Sequence, residues 1–149
     1  MKEKEILLEQ YKLYVESAEK VSDRRQSANN YFLTLNSVLV AFSGYLTSFT
    51  FQIWHIIIAV AGICISFLWL LTLKSCRNLN SGKFKIIHSL EKKLPAKLFK
   101  DEWDCLEKGE NKKTYLKLSV VEQGVPIIFF VLYILIIVIM ILPLLGWTI

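Results

Sequence analysis

Apolar residues in this chain gather into three long runs separated by charge. The runs are Tyr31–Phe51, Ile53–Leu73 and Val125–Ile149. Each is close to the ~20 residues that a helix needs to cross a ~30 Å hydrocarbon core. The third is the most uniform: from Ile127 to Leu142 its only polar side-chain group is the Tyr133 hydroxyl. The first is the most polar and carries Thr34, Asn36, Ser37, Ser43, Thr47 and Ser48. The pattern predicts an all-α integral membrane protein with three transmembrane helices over 31–51, 53–74 and 125–147.

Outside the runs the pattern is also helical. Leu7, Tyr11, Tyr14, Ala18 and Val21 recur at three- and four-residue steps, the period of one helix face. No Gly or Pro precedes Gly44, so residues 1–30 are expected to form a cytoplasmic amphipathic helix continuous with the first span. Such a helix exposes an apolar stripe that needs a partner. In the loop, 75–123, Ser81-Gly82 is expected to end the second helix. Phe84, Ile87, Leu90, Glu91 and Leu94 outline a short amphipathic helix. Pro95 suits the first turn of another, running to Lys108, and Gly109 suits its C-terminal cap. Residues 110–119 read as a loop, and Gly124 and Pro126 as the start of the third span.

Charge then fixes an orientation. The net charge is +5, and all 18 Lys and Arg lie either before the first span or between the second and third. The positive-inside rule places the N-terminus and the long loop in the cytoplasm and the C-terminus outside. Trp54 and Trp147 would lie at the outer interface and Trp69 near the inner one. The basic loop suits an anionic lipid surface better than nucleic acid. The N-terminus does not read as a cleaved signal, since the first apolar run begins only near Tyr31.

The first helix holds the most informative polar pattern. Ser22, Asn29, Asn36, Ser43 and Thr50 are seven residues apart, which keeps them on nearly one face, with Arg25 beside it. An amide in the hydrocarbon region must face protein or water. Arg25, Asn29, Asn36 and Ser43 are therefore candidates either for hydrogen bonding between helices or copies or for lining a water-filled pore. Ser37-xxx-Ala41, Gly44-xxx-Ser48 and Gly62-xxx-Ser66 have the small-xxx-small spacing of close helix packing, which marks Gly44, Gly62 and Ser66. The third span reads as a lipid-facing anchor.

Reaction chemistry finds little support. There is no catalytic constellation, no glycine-rich phosphate loop and no metal-ligand spacing; Cys64, Cys76 and Cys105 form no CxxC pair. No cofactor and no enzyme activity are expected. His55 reads as an interfacial side chain, and Glu91, Glu102 and Asp104, interspersed with lysines, as a solvated face.

Three blocks of residues carry a resemblance. They are Arg24-Arg25 with Asn29, Phe32 and Asn36; Trp69 with Ser75, Arg77, Leu79-Asn80 and Lys83-Phe84; and Glu91 with Leu94-Pro95, Glu102-Trp103, Gly109, Tyr115, Glu122 and Val125-Pro126. The chain resembles the RipA-family octameric bacterial membrane proteins, and more distantly the SLATT class of two-span effector domains, from which its third span departs. The first resemblance implies a ring-like homo-oligomer of eight copies in the bacterial inner membrane. The second implies defence or stress systems with a nucleotide signal. The reading that results is a homo-oligomeric inner-membrane protein, a pore or pore-like effector gated from the cytoplasm, with Arg77, Phe84 and Trp103 in a cytoplasmic collar around the N-terminal helices. The alternative is a non-conducting scaffold whose basic loop docks a cytoplasmic protein or anionic lipid.

Overall fold

The computed structural model describes residues 2–46, 52–111, 115–116 and 118–142. Thr47, Ser48, Thr50 and Trp147, on which the polar stripe, the outer turn and the outer aromatic belt partly rest, lie outside the described residues. Among the described residues four α-helices carry the fold: α1 (Lys2–Leu46), α2 (Gln52–Glu91), α3 (Leu98–Cys105) and α4 (Leu118–Ile141). A 3-10 turn, Glu107–Gly109, follows α3. There is no strand among the described residues.

Helix α1 is unbroken over 45 residues, as the absence of Gly and Pro before Gly44 leads one to expect. Helix α2 departs from expectation, because it runs through Ser81-Gly82 to Glu91. A helical Gly costs only about 1 kcal/mol relative to Ala. Leu73, Asn80, Phe84, Ile87 and Glu91 continue one face across it, and Leu73, Ile87 and Glu91 on that face are buried. Tertiary burial outweighs the local stop signal.

The other boundaries shift for comparable reasons. Helix α3 begins at Leu98, three residues after Pro95. Its end is tighter than a single glycine cap: Glu107, Lys108 and Gly109 all have positive φ, 51°, 53° and 66°. Helix α4 starts at Leu118, so Gly124 and Pro126 fall inside it and the preceding loop is shorter than expected. Pro126 is buried within α4. Its ring removes one backbone hydrogen bond from the helix.

The chain divides into two compact units. One comprises Met1–Gln26 and Leu73–Val121, the other Ser27–Thr72 and Glu122–Ile149. All 18 Lys and Arg and 12 of the 13 Asp and Glu belong to the first, leaving Glu122 as the one charged residue of the second. They are called the charged and the apolar unit below. The charged unit buries Ala18, Val21, Leu73, Ile87 and Glu91; the apolar unit buries Ile58, Ala59, Trp69 and Tyr133 together with Asn36, Ser43, His55 and Ser66.

Two described helices are long and apolar enough to cross a membrane. They are α2 from Ile53 onward and α4, whose most apolar windows have mean hydropathies of 2.7 and 3.1. The second half of α1 is not among them: Thr34, Asn36, Ser37 and Ser43 dilute it, and 47–51 lie outside the described residues.

Candidate functional site

In the apolar unit the polar stripe of α1 turns inward. Asn36 is fully buried. Its Nδ2–H donates to the Phe32 carbonyl at 2.8 Å, and its Oδ1 accepts from the Ser66 hydroxyl at 3.3 Å. Its backbone carbonyl also accepts from the Tyr133 hydroxyl at 3.2 Å. One residue of α1 thus ties α2 and α4 together. One helical step away, Trp69 Nε1–H donates to Asn29 Oδ1 at 2.7 Å, while the Trp69 ring stacks on Phe32 at 5.8 Å.

These bonds all lie within one chain. In hydrocarbon such bonds average about 0.6 kcal/mol each, but leaving a buried amide unpaired costs about 1–3 kcal/mol. The network thus specifies how the helices pair more than it adds stability. Gly62 serves it sterically, since a Cβ there would run into the Tyr133 ring. Ser66, the other residue of that spacing, makes the hydrogen bond to Asn36. A Cβ at Gly44 would meet nothing within 4 Å among the described residues.

Several expectations change here. Trp69, expected near the inner interface, is buried within the chain and hydrogen-bonded. The third span is not uniformly lipid-facing, because Tyr133 and Pro126 are buried. His55 is buried as well, and neither ring nitrogen has a hydrogen-bond partner among the described residues. Asn36 and Ser43 are enclosed in their own chain and Asn29 is half-buried. A different stripe of α1 is exposed: Ser27, Asn30, Thr34, Ser37, Ala41 and Gly44. Its steps of three and four residues make one continuous strip of small and polar side chains. The sequence carried this signal, but the seven-residue repeat of Asn29 and Asn36 masked it.

In the charged unit the buried group is a carboxylate. Glu91 is 1% exposed, where a solvated face was expected. Its Oε1 accepts from Tyr11 Oη–H at 3.2 Å and from the Phe99 N–H at 2.9 Å. Its Oε2 accepts from the Lys100 N–H at 3.2 Å and lies 3.3 Å from His88 Nδ1. The two amides belong to the first turn of α3, whose own N-cap residue, Lys97, makes no side-chain cap. Glu91 therefore caps α3 from α2 and meets the positive end of its dipole. Burial pushes the carboxyl up, but the hydrogen bonds from Phe99, His88, Tyr11 and Lys100 hold it below the usual carboxylate range. Burial and the Glu91 charge raise the Tyr11 phenol. The sequence signal was available, since Glu91 follows Phe84 and Ile87 on one helix face.

The same unit contains a half-open cavity of about 710 Å³. Arg25, Arg77 and Lys85 contribute positive charge to its wall, Phe84, Trp103 and Tyr115 contribute rings, and Glu102 a carboxylate. Arg77, Phe84 and Trp103, the expected collar residues, thus meet at one site together with Arg25. No cluster of three or more His, Cys, Asp or Glu able to hold a metal occurs among the described residues.

The described residues are helical apart from turns and short connections, and two of their helices are long and apolar enough to cross a membrane. Residues 8–142 match the Octameric membrane protein family (8xMP), and the chain belongs to that family. No curated protein and no solved structure matches it. The expected membership in an octameric membrane protein family is borne out, and with it a homo-oligomeric membrane protein.

Proposed function

We propose that the protein forms a homo-oligomeric pore in the bacterial inner membrane, with the exposed stripe of α1 facing the central axis. One observation carries this reading. Ser27, Asn30, Thr34, Ser37, Ala41 and Gly44 form a strip without a single aliphatic side chain larger than Ala, and every one of them is exposed in the single chain. Thr34 bonds back to the Asn30 carbonyl at 2.9 Å, which reduces its need for an outside partner. The Asn30 amide and the Ser37 hydroxyl have no such arrangement among the described residues. Facing lipid they would lose hydrogen bonds to water with no replacement; facing an axis shared by several copies they stay wet.

Three spans, 31–51, 53–74 and 125–147, carry the chain across the membrane in this reading. The N-terminus and 75–123 are cytoplasmic, as the confinement of all 18 cations supports. Asn29 and Asn36 hold each copy together, and the lining belongs to the neighbouring stripe.

The same small side chains would also allow dry, close packing of copies, in a scaffold that conducts nothing. Ion flux separates the two. The purified oligomer in liposomes should pass monovalent ions, and Ser37→Leu with Thr34→Leu should block the flux while the oligomer persists on size-exclusion chromatography. An intact oligomer that stays closed to ions under every applied voltage and cytoplasmic-side ligand would overturn the pore and leave the scaffold.

A further inference from the structure

The half-open cavity of the charged unit has no role in conduction. We infer, on the membrane topology of the pore reading but not on the pore itself, that it holds the headgroup of an anionic phospholipid bearing free hydroxyls, the chemistry of a phosphatidylglycerol. Its volume, about 710 Å³, lies within the roughly 300–1,000 Å³ usual for small-molecule sites.

The wall of the cavity begins close to the apolar runs. Arg77 lies four residues beyond Leu73, the end of the second run, which is about 6 Å along a helix. Ser119 lies six residues before Val125, where the third run begins, or about 9 Å. The headgroup layer outside a ~30 Å hydrocarbon core is roughly 5–8 Å deep on each side. The cavity therefore reaches the headgroup level at Arg77 and extends from there into the cytoplasm. A lipid can enter it from the leaflet and keep its acyl chains in hydrocarbon. Leu118, also in the wall, is exposed and starts α4, whose apolar side chains suit those acyl chains.

Charge and hydrogen bonding then select the headgroup. Arg77 and Lys85 are exposed, and neither has an ion-pair partner among the described residues. Glu102 is the one carboxylate among the described residues of the wall, so these two cations alone leave a positive excess. Arg25 and Trp103 also line the cavity, each engaged in a contact of its own. A phosphodiester supplies one negative charge and accepts a two-pronged bond from a guanidinium. Asn80 asks for the opposite chemistry. Its Oδ1 lines the cavity, buried and without a hydrogen-bond partner, and as an acceptor it needs a hydroxyl or an N–H. A glycerol hydroxyl donates to Asn80 while the phosphate meets Arg77 and Lys85. A choline headgroup has no donor, and the ammonium of ethanolamine cancels the phosphate charge. A free phosphate lacks the acyl chains that hold a lipid at this depth.

Native mass spectrometry of the full-chain oligomer in detergent, titrated with dioleoyl lipids, tests this without any measurement of flux. Phosphatidylglycerol should bind about tenfold more tightly than phosphatidylcholine. It should bind about fivefold more tightly than phosphatidylmethanol, which has the same charge and no hydroxyl, as one neutral hydrogen bond gives. Arg77→Gln with Lys85→Gln should weaken phosphatidylglycerol about thirtyfold, at roughly 1 kcal/mol for each cation. Lys92→Gln with Lys93→Gln removes the same charge outside the cavity and should leave the affinity unchanged. Asn80→Leu should abolish the preference over phosphatidylmethanol. Oligomer mass and circular dichroism report whether each variant folds. Equal binding of phosphatidylglycerol and phosphatidylcholine by the wild type overturns the proposal without reference to any variant. An equal loss in the two double variants overturns it too, because the attraction would then belong to the basic loop as a whole. Displacement of the lipid by equimolar glycerol 3-phosphate would make the cavity a soluble-phosphate site, and a folded Asn80→Leu protein with its full preference would remove the hydroxyl-bearing headgroup; either result overturns it.

Discussion

The two units solve the problem of a buried polar group in opposite ways. The apolar unit holds one charged residue, Glu122, and pairs neutral groups with one another: an amide with a hydroxyl and a carbonyl, an indole with an amide. The charged unit buries an ionised carboxylate and surrounds it with a phenol, an imidazole and two backbone amides of a helix end. The difference follows from the cost of removing each group from water. A neutral amide is satisfied by two or three bonds, whereas a carboxylate needs a nearly complete set of donors and a favourable dipole. The first device suits a segment that must remain neutral in hydrocarbon. The second suits a water-exposed unit, in which charge is plentiful and one carboxylate can organise three helices.

The sharpest test of this contrast lies at Gly62. Tyr133 is fully buried against it, so its ring cannot yield without repacking α2 against α4. Gly62→Val should destabilise the folded protein by about 3 kcal/mol, the upper part of the overpacking range. Thermal unfolding in detergent reads the loss. In a Tyr133→Ala background Gly62→Ala should become nearly neutral, and a double-mutant cycle measures that coupling. If Gly62→Val is as stable as wild type, α4 does not pack there.

Glu91 tests the other device. Glu91→Gln keeps the shape but removes the charge that accepts from α3. It should cost about 2 kcal/mol, the usual value for a hydrogen bond to a charged group. The effect depends on pH with a definite sign. The folded carboxyl is held below its ordinary range, so its contribution is complete above an unfolded pKa of about 4.3 and disappears as pH falls through the lower folded value. Wild-type stability should therefore decline on acidification below about pH 4.3, and the Glu91→Gln protein should lose that part of the slope. Parallel pH curves for the two would show that Glu91 is not the titrating group.

Trp69→Phe asks how much one indole contributes to the neutral network. The ring can still stack on Phe32, but Asn29 Oδ1 loses its donor at 2.7 Å. A loss of about 1 kcal/mol is expected, less than for Glu91 because both partners are uncharged. Chemical denaturation followed by circular dichroism gives the figure; no loss would mean that a water or another donor replaces the indole.

Much of this was legible in the sequence, and the failures share a cause. The long α1, the two most apolar helices and the inward stripe Leu7–Val21 follow from period and composition alone. Local punctuation misled where burial overrode it: Ser81-Gly82 did not end α2, and α4 starts at Leu118, inside the expected 110–119 loop. Polarity misled in the other direction. Glu91 looked solvated because lysines follow it, and Tyr133 passed as one hydroxyl in a greasy span. Their roles depend on residues 80 and 97 positions away in the chain. The distinction between Asn36, which faces its own chain, and Asn30, which faces out, required the packing of α2 and α4.

The smallest effect concerns the second glycine of α2. Gly62 and Gly82 sit in one helix, one in each unit, and their sequence surroundings give no hint that they differ. A Cβ at Gly82 would meet nothing within 4 Å, and its backbone φ is ordinary for a helix. Gly82→Ala should therefore stabilise the protein by about 0.5–1 kcal/mol, because Ala loses less backbone freedom on folding and fills empty space. Thermal unfolding of Gly82→Ala beside Gly62→Ala makes the comparison direct: a gain at one position and a loss at the other. A loss at Gly82 would mean that another copy or a cytoplasmic partner packs closely against that turn of α2, and Ser81 and Lys85 beside it would then belong to an interface.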